Sequence, residues 1–113
     1  MQAMTLRDEI PPGTLYMLIL RTLARHSRLH GFEIAKSIQL ASEDVLRVEE
    51  GSLYPALQRM LLKGWVEAEW GVTTGNRRAR YYRLTDAGRR QLSSELRQYE
   101  RVAAAIGRIL QPA

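Results

Sequence analysis

The stretch EEGSLYPALQRML, residues 49–61, decides how this chain is expected to fold. Its apolar residues recur at the three- and four-residue spacing of a helix with one buried side. Pro55 interrupts that pattern, because proline lacks the backbone N–H that a helix interior uses. With Ser52 as the N-cap, Pro55 falls in the first turn, where N–H groups have no intrahelical partner. The sequence therefore predicts an amphipathic helix that begins at Ser52 and stops at Gly64.

The outward side of this helix carries side chains suited to nucleic acid. Glutamine and arginine can hydrogen-bond base edges bidentately, whereas serine, tyrosine and lysine suit phosphates. An ordinary solvated helix face has a similar composition, so the residue types alone leave both interpretations open. Leu62 lies on the same side and could contact either a neighbouring hairpin or a thymine methyl group. The candidate DNA-contacting residues of this helix are Ser52, Tyr54, Pro55, Gln58, Arg59 and Lys63.

Two further helices are predicted before this one. Pro11-Pro12-Gly13 punctuates the chain ahead of a helix that ends near His26. His30 caps a second amphipathic helix, which begins at Gly31. The polar stretch that follows is predicted as a loop with a short extended piece around Leu46–Val48. The apolar side of the second helix is expected to consist of Phe32, Ile34, Ala35 and Ile38.

The hydrophobic period changes after the third helix. Val66, Ala68 and Trp70 alternate with glutamates, which indicates a strand with one buried face. GVTTGN is typical of a turn, and Tyr82 and Leu84 then alternate in a second strand. A β-hairpin is therefore predicted, and arginines at its tip would contact phosphates, although a solubilising turn has a similar composition. The arginines concerned are Arg77 and Arg78, which we favour, and Arg80, while Asn76 and Gly75 are expected to shape the turn.

The last predicted helix carries an apolar seam. Thr85 is its expected N-cap, and Asp86 suits the positive end of a helix. The apolar residues then follow one another at steps of four and three, which is the spacing of a helix–helix contact. The predicted dimerisation residues are Leu92, Leu96, Tyr99, Ala103, Ile106 and Leu110.

The order of three helices and a hairpin is that of a winged helix-turn-helix. The predicted fold class is mainly α with a small β-hairpin wing, followed by a long C-terminal helix. In this fold the third helix lies in the major groove and the wing follows the DNA backbone or a minor groove. The expected division is a DNA-binding domain over residues 1–84 and a C-terminal dimerisation helix over residues 85–113.

The composition limits the classes of function. The 113 residues include 17 Lys and Arg against 12 Asp and Glu, and the formal net charge of +5 favours an anionic partner. The absence of cysteine excludes disulfides and cysteine zinc sites. No nucleophile–base pair, phosphate loop or metal-ligand cluster is recognisable, so we predict no enzyme activity, catalytic residue, metal or cofactor. Since neither a signal peptide nor an apolar run of about 20 residues is present, a soluble, cytoplasmic protein is expected.

Four stretches resemble the PadR-type transcriptional regulators: PPGTLYMLIL, HGFEIAKSI, EGSLYPALQRML and RRARYYRLTDAG. In this order they span nearly the whole chain, which is similar to the short subtype with a single C-terminal helix. The resemblance implies a sequence-specific regulator, usually a repressor, that binds a double-stranded DNA operator as a homodimer. It also implies a small hydrophobic or aromatic effector, with Tyr99 as the candidate ligand-binding residue.

A second interpretation keeps the fold and changes the partner. A winged helix can serve as a protein-interaction module that presents its basic surface to an acidic protein. The arginines of the hairpin and the polar outward side of the third helix favour DNA over this alternative. For Tyr99, packing inside the helix seam is the alternative to a ligand contact.

Overall fold

The structure of the protein is a computed structural model, and it describes residues 8–10 and 13–112. Over these residues the chain forms four α-helices and five strands. The arrangement confirms the predicted fold class, mainly helical with a β-hairpin wing and a long last helix. The punctuation predicted at Pro11-Pro12 lies outside the described residues. In chain order the elements are β1 (Asp8–Glu9), α1 (Leu15–Ala24), β2 (Leu29–His30), α2 (Gly31–Ala41), β3 (Leu46–Arg47), α3 (Glu50–Leu62), β4 (Val66–Val72), β5 (Arg78–Leu84) and α4 (Asp86–Leu110).

The first three helices enclose one hydrophobic core. Ile19 and Leu20 of α1 and Ile34 of α2 are fully buried. Leu57 and Met60 of α3 are buried as completely, which confirms the apolar side predicted for this helix. Burying one such side chain stabilises the folded state by about 1.5–3 kcal/mol. The core therefore determines which side of α3 faces inward and leaves the opposite side to solvent.

The wing is the antiparallel pair β4 and β5, in which Val66 lies opposite Leu84 and Val72 opposite Arg78. This pair confirms the predicted hairpin. The two-residue strand β2 adds to the other edge of β5, so the described sheet has the order β2-β5-β4. Tyr82 of β5 is buried and joins the wing to the core. The extended piece predicted after α2 is present as β3, which pairs in parallel with β1.

The start of α3 differs from the prediction. The helix begins at Glu50 with Glu49 as its N-cap, so the assignment of Ser52 as N-cap is wrong. Val48 is buried directly before the cap, and the Glu49 carbonyl then accepts the N–H groups of Ser52 and Leu53 at 3.0 and 2.9 Å. Pro55 is therefore the sixth helical residue rather than the third. Because Pro55 has no N–H, the carbonyl of Gly51, four residues earlier, lacks its helical hydrogen-bond donor. Gly51 is exposed, so water can donate to that carbonyl instead.

The start of α4 is a tightly packed junction. The Thr85 hydroxyl accepts the Gly88 N–H at 3.0 Å, which confirms the predicted N-cap. The same hydroxyl donates to the Gly64 carbonyl at 2.7 Å. A Cβ atom at position 88 would lie 2.1 Å from the Trp65 carbonyl oxygen, so only glycine fits there. The first turn of α4 is thus fastened to the segment that leaves α3.

The apolar seam of α4 has two different environments. Leu92 is 6% exposed and Leu96 is half-buried, and both pack on the core of their own chain. The seam prediction is therefore corrected at Leu92, because helical spacing identifies an apolar side without identifying what covers it, whereas a contact of the half-buried Leu96 with a partner stays a prediction. From Tyr99 onward the same side is exposed, including Ile106 and Leu110. Within the described residues, no helix is long and apolar enough to cross a membrane.

Candidate nucleic-acid interface

The N-terminus of α2 is held by a capping box. The Nδ1 atom of His30 accepts the Glu33 N–H at 3.4 Å, and the Glu33 carboxylate accepts the His30 N–H at 3.1 Å. This confirms His30 as the cap of the second helix. Phe32 follows in the first turn with 68% of its surface exposed, although the sequence pattern had assigned it to the apolar side. The first turn of α2 thus presents an aromatic ring to solvent.

The outward side of α3 carries most of the residues that the sequence singled out. Ser52, Pro55 and Gln58 are exposed, and Tyr54 is half-exposed. The Tyr54 ring lies over the start of α2, where a Cβ atom at position 31 would come within 2.7 Å of its hydroxyl oxygen. Gly31 therefore allows the tyrosine to bridge α2 and α3, and the two helices share one continuous outer surface.

Arg59 and Lys63 lie on the flank of α3 rather than on its outermost side. The Arg59 Nε donates a hydrogen bond to the Tyr16 hydroxyl of α1, and the guanidinium lies 5.8 Å from the same ring. The Lys63 ammonium lies 5.3 Å from the centre of the Trp65 ring. Both cations are exposed, so they remain accessible to phosphates. Gln58 is also exposed, and among the described residues no contact of this kind draws it toward the flank.

The tip of the wing is a tight turn with exposed arginines. The Thr73 N–H donates to the Arg77 carbonyl at 2.8 Å, and the Arg77 N–H donates to the Thr73 hydroxyl at 3.2 Å. Asn76 adopts a φ of 63°, which the turn requires and which asparagine tolerates, as predicted. Neither Arg77 nor Arg80 forms an ion pair with any described residue. The tip therefore presents uncompensated positive charge.

Three other arginines, in or directly beside the sheet, are engaged in contacts. Arg78 lies 4.4 Å above the Trp70 ring, in a cation–π arrangement. Arg28 and Arg83 form ion pairs with acidic residues of β4, at 2.6 and 2.8 Å respectively. Since both of those charges are neutralised within the sheet, they are poor candidates for phosphate contacts. Arg78 is exposed and forms no ion pair with any described residue, so Arg77, Arg78 and Arg80 all remain candidates and the preference for Arg77 and Arg78 stays a prediction.

An open groove of about 510 Å³ separates the wing from α2 and α3. We call it the wing groove. Tyr82 lies at the floor of the wing groove, where burial raises the pKa of its hydroxyl. The nearby Arg80 guanidinium has the smaller, opposite effect and lowers this pKa. Because the ordinary pKa of tyrosine is about 10, Tyr82 stays neutral at physiological pH and adds no negative charge. The lining residues with exposed aromatic or cationic side chains are Phe32, Tyr54, Trp70, Arg77, Arg78 and Arg80.

The wing groove combines two types of contact that nucleic acids accept. Guanidinium groups bind phosphates, and exposed rings pack against sugars and bases. Phe32 and Trp70 were not among the predicted contacts, because their apolar character suggested packing within the fold. Only their exposure in the folded chain makes them candidates for contacts at this surface. Within the described residues, no group of three or more His, Cys, Asp or Glu side chains is placed to hold a metal ion.

A second exposed surface lies on the C-terminal half of α4. Its side chains are apolar and exposed, and all but Ala103 are large. Of the predicted dimerisation residues, Tyr99, Ala103, Ile106 and Leu110 belong to this surface. The α4 stripe, as we call it, consists of Tyr99, Val102, Ala103, Ile106, Ile109 and Leu110.

The chain is similar to known transcriptional regulators in sequence and in fold. The sequence profile of the transcriptional regulator PadR-like family matches residues 19–94. The chain is 34% identical to the transcriptional regulator Rv3488 of Mycobacterium tuberculosis, over 74% of each protein. It is 31% identical to a PadR family transcriptional regulator of Eggerthella lenta, with a TM-score of 0.73 over 89% of this chain and 85% of that one. A transcriptional regulator from Clostridium thermocellum has a TM-score of 0.80 at 25% identity, over 88% and 95% of the two chains.

Proposed function

Because the chain belongs to the PadR-like family of transcriptional regulators, we propose that it binds a specific duplex DNA operator as a homodimer and represses transcription there. It is a transcriptional regulator rather than an enzyme. The observation that carries the proposal is the shared surface of α2, α3 and the wing, where exposed hydrogen-bonding groups and uncompensated arginines surround one groove. A duplex offers phosphates and base edges at matching positions.

Within this surface the residues have distinct proposed roles. The outward side of α3 enters the major groove, where Gln58 hydrogen-bonds a base edge and Ser52 and Tyr54 contact phosphates. Arg59 and Lys63 contact the backbone from the flank. The wing contacts phosphates through Arg77 and Arg80, with Arg78 held beside them on Trp70. Pro55 contributes a rigid surface near the start of α3.

The α4 stripe supports the proposal of a homodimer. A run of large apolar side chains exposed along one side of a long helix is unfavourable in water, and a second copy of the stripe would cover it. A two-fold dimer would place two α3 helices in successive major grooves, about 34–36 Å apart. The operator is then a pseudo-palindrome. A small hydrophobic or aromatic effector, bound beside Tyr99, would shift the dimer between spacings that fit and do not fit the DNA.

A mobility-shift assay tests this function. The purified protein is titrated against the duplex upstream of its own gene and against a shuffled duplex of equal length and composition. We expect a discrete complex with the first duplex at concentrations at which the second remains free. Equal binding to both duplexes, or binding to neither, would refute the operator proposal and favour a protein-interaction module instead.

A further inference from the structure

We infer that Leu62 contacts the C5-methyl group of a thymine in the operator, and that Leu62 and Gln58 together determine part of its sequence. The inference rests on the proposed function, since it concerns how α3 recognises DNA. It adds a specificity-determining residue that hydrogen-bonding considerations alone would omit. The contact is apolar, and its chemical target is a single methyl group in the major groove.

The placement of Leu62 on α3 supports this inference. Leu62 is 78% exposed, whereas Met60 is buried and Leu61 half-buried. It lies four residues after Gln58, so the two side chains project from the same side of the helix. Four residues of helix span about 6 Å, which corresponds to about two base-pair steps. A glutamine that hydrogen-bonds one base therefore places the leucine beside a base pair one or two steps away.

The structure also separates the two roles that the sequence left open for Leu62. A contact with the wing would have covered the side chain, yet most of its surface is accessible with the wing folded in place. The remaining apolar partner in a major groove is the thymine methyl, because the other groups on the base edges there are hydrogen-bond donors and acceptors. A leucine opposite any other base would leave those polar groups without a partner. Leu62 thus favours thymine and disfavours the other three bases.

Deoxyuridine tests the contact directly, since it pairs like thymidine and lacks only the methyl group. Sequences that bind the wild-type protein are first selected from a randomised duplex library. Deoxyuridine then replaces each thymidine of the selected duplex, one position at a time. We expect one position in each half-site at which the substitution weakens wild-type binding about fourfold, the effect of one buried methyl-sized group.

The variant Leu62→Ala completes the test. It should bind the thymidine duplex about fourfold more weakly and should show no further loss with deoxyuridine at that position. The control is Leu40→Ala, which truncates a leucine of α2 that is 65% exposed, and it should retain the wild-type response. No position sensitive to deoxyuridine, or the same sensitivity in Leu62→Ala, would overturn the inference while sequence-specific binding stands. If the library yields no preferred sequence, the proposed function fails and the inference fails with it.

Discussion

Replacing Arg77 by alanine should make DNA binding less sensitive to salt. Arg77 lies at the tip of the wing, exposed and without an ion pair to any described residue. Each phosphate contact on duplex DNA contributes about 0.9 to the slope of log K against log salt concentration. The proposed dimer has two wings, so the slope should become less steep by about 1.8. Between about 50 and about 200 mM salt, that difference corresponds to about tenfold in affinity.

The slope is measured by fluorescence anisotropy with one labelled operator duplex over a series of salt concentrations. Arg83→Ala is the matched control, because it removes the same formal charge from β5. The Arg83 guanidinium already pairs with Glu67 at 2.8 Å, so this variant should keep the wild-type slope. A wild-type slope for Arg77→Ala would refute the phosphate contact at the wing. Equal changes in both variants would show that net charge, and not position, controls the binding.

Four further substitutions, one of them a control, test other parts of the molecule. Ile106→Glu places a charge in the α4 stripe, and the protein should sediment as a monomer; a dimer at the same concentration would refute the proposed interface. Gly31→Ala displaces Tyr54, because the added carbon would lie 2.7–2.9 Å from the tyrosine ring and hydroxyl. The variant should therefore lose one phosphate contact, and its affinity for the operator should fall about fivefold. Gly88→Ala overpacks the start of α4 and should lower the free energy of unfolding, measured in urea, by about 1–3 kcal/mol. Gly107→Ala is the control, because position 107 is open, and it should raise the free energy of unfolding by up to about 1 kcal/mol. Equal effects of the two substitutions would contradict the tight packing at position 88.

The elements with a strong local signal were predicted correctly from the sequence. His30 and Thr85 accept the hydrogen bonds expected of N-caps, and the two-residue alternation located both strands of the wing. The start of α3 was misplaced because a local rule, serine as N-cap, competed with the burial of Val48 just before the helix. The short strand β2 has no pattern of its own. It exists because Leu29 and His30 lie beside β5 in the folded chain.

The sequence indicates which residue types form the candidate site, but it does not show which of these residues contact one another. The hydrogen bond from Arg59 to Tyr16 joins residues 43 positions apart, and no helical wheel could reveal it. The seam of α4 was recognised by its spacing, but the same spacing describes Leu92 in the core and Ile106 in solvent. Phe32 was misassigned for a similar reason, since hydrophobicity indicates burial only when another element covers the residue. These distinctions depend on contacts between distant segments, which the sequence pattern does not contain.

The junction between α3 and α4 explains how dimer geometry and DNA contact would be coupled in the proposed dimer. The Thr85 N–H donates to the Trp65 carbonyl at 3.1 Å, and the Thr85 hydroxyl donates to the Gly64 carbonyl at 2.7 Å. Gly88 packs so closely against the same segment that a Cβ atom at position 88 would lie 2.1 Å from the Trp65 carbonyl oxygen. Because Gly64 and Trp65 directly follow the C-cap of α3, a rotation of α4 imposed by the partner subunit would displace the recognition helix with it. An effector bound beside Tyr99 would therefore change DNA affinity through this fixed connection, without needing to contact the DNA-binding surface.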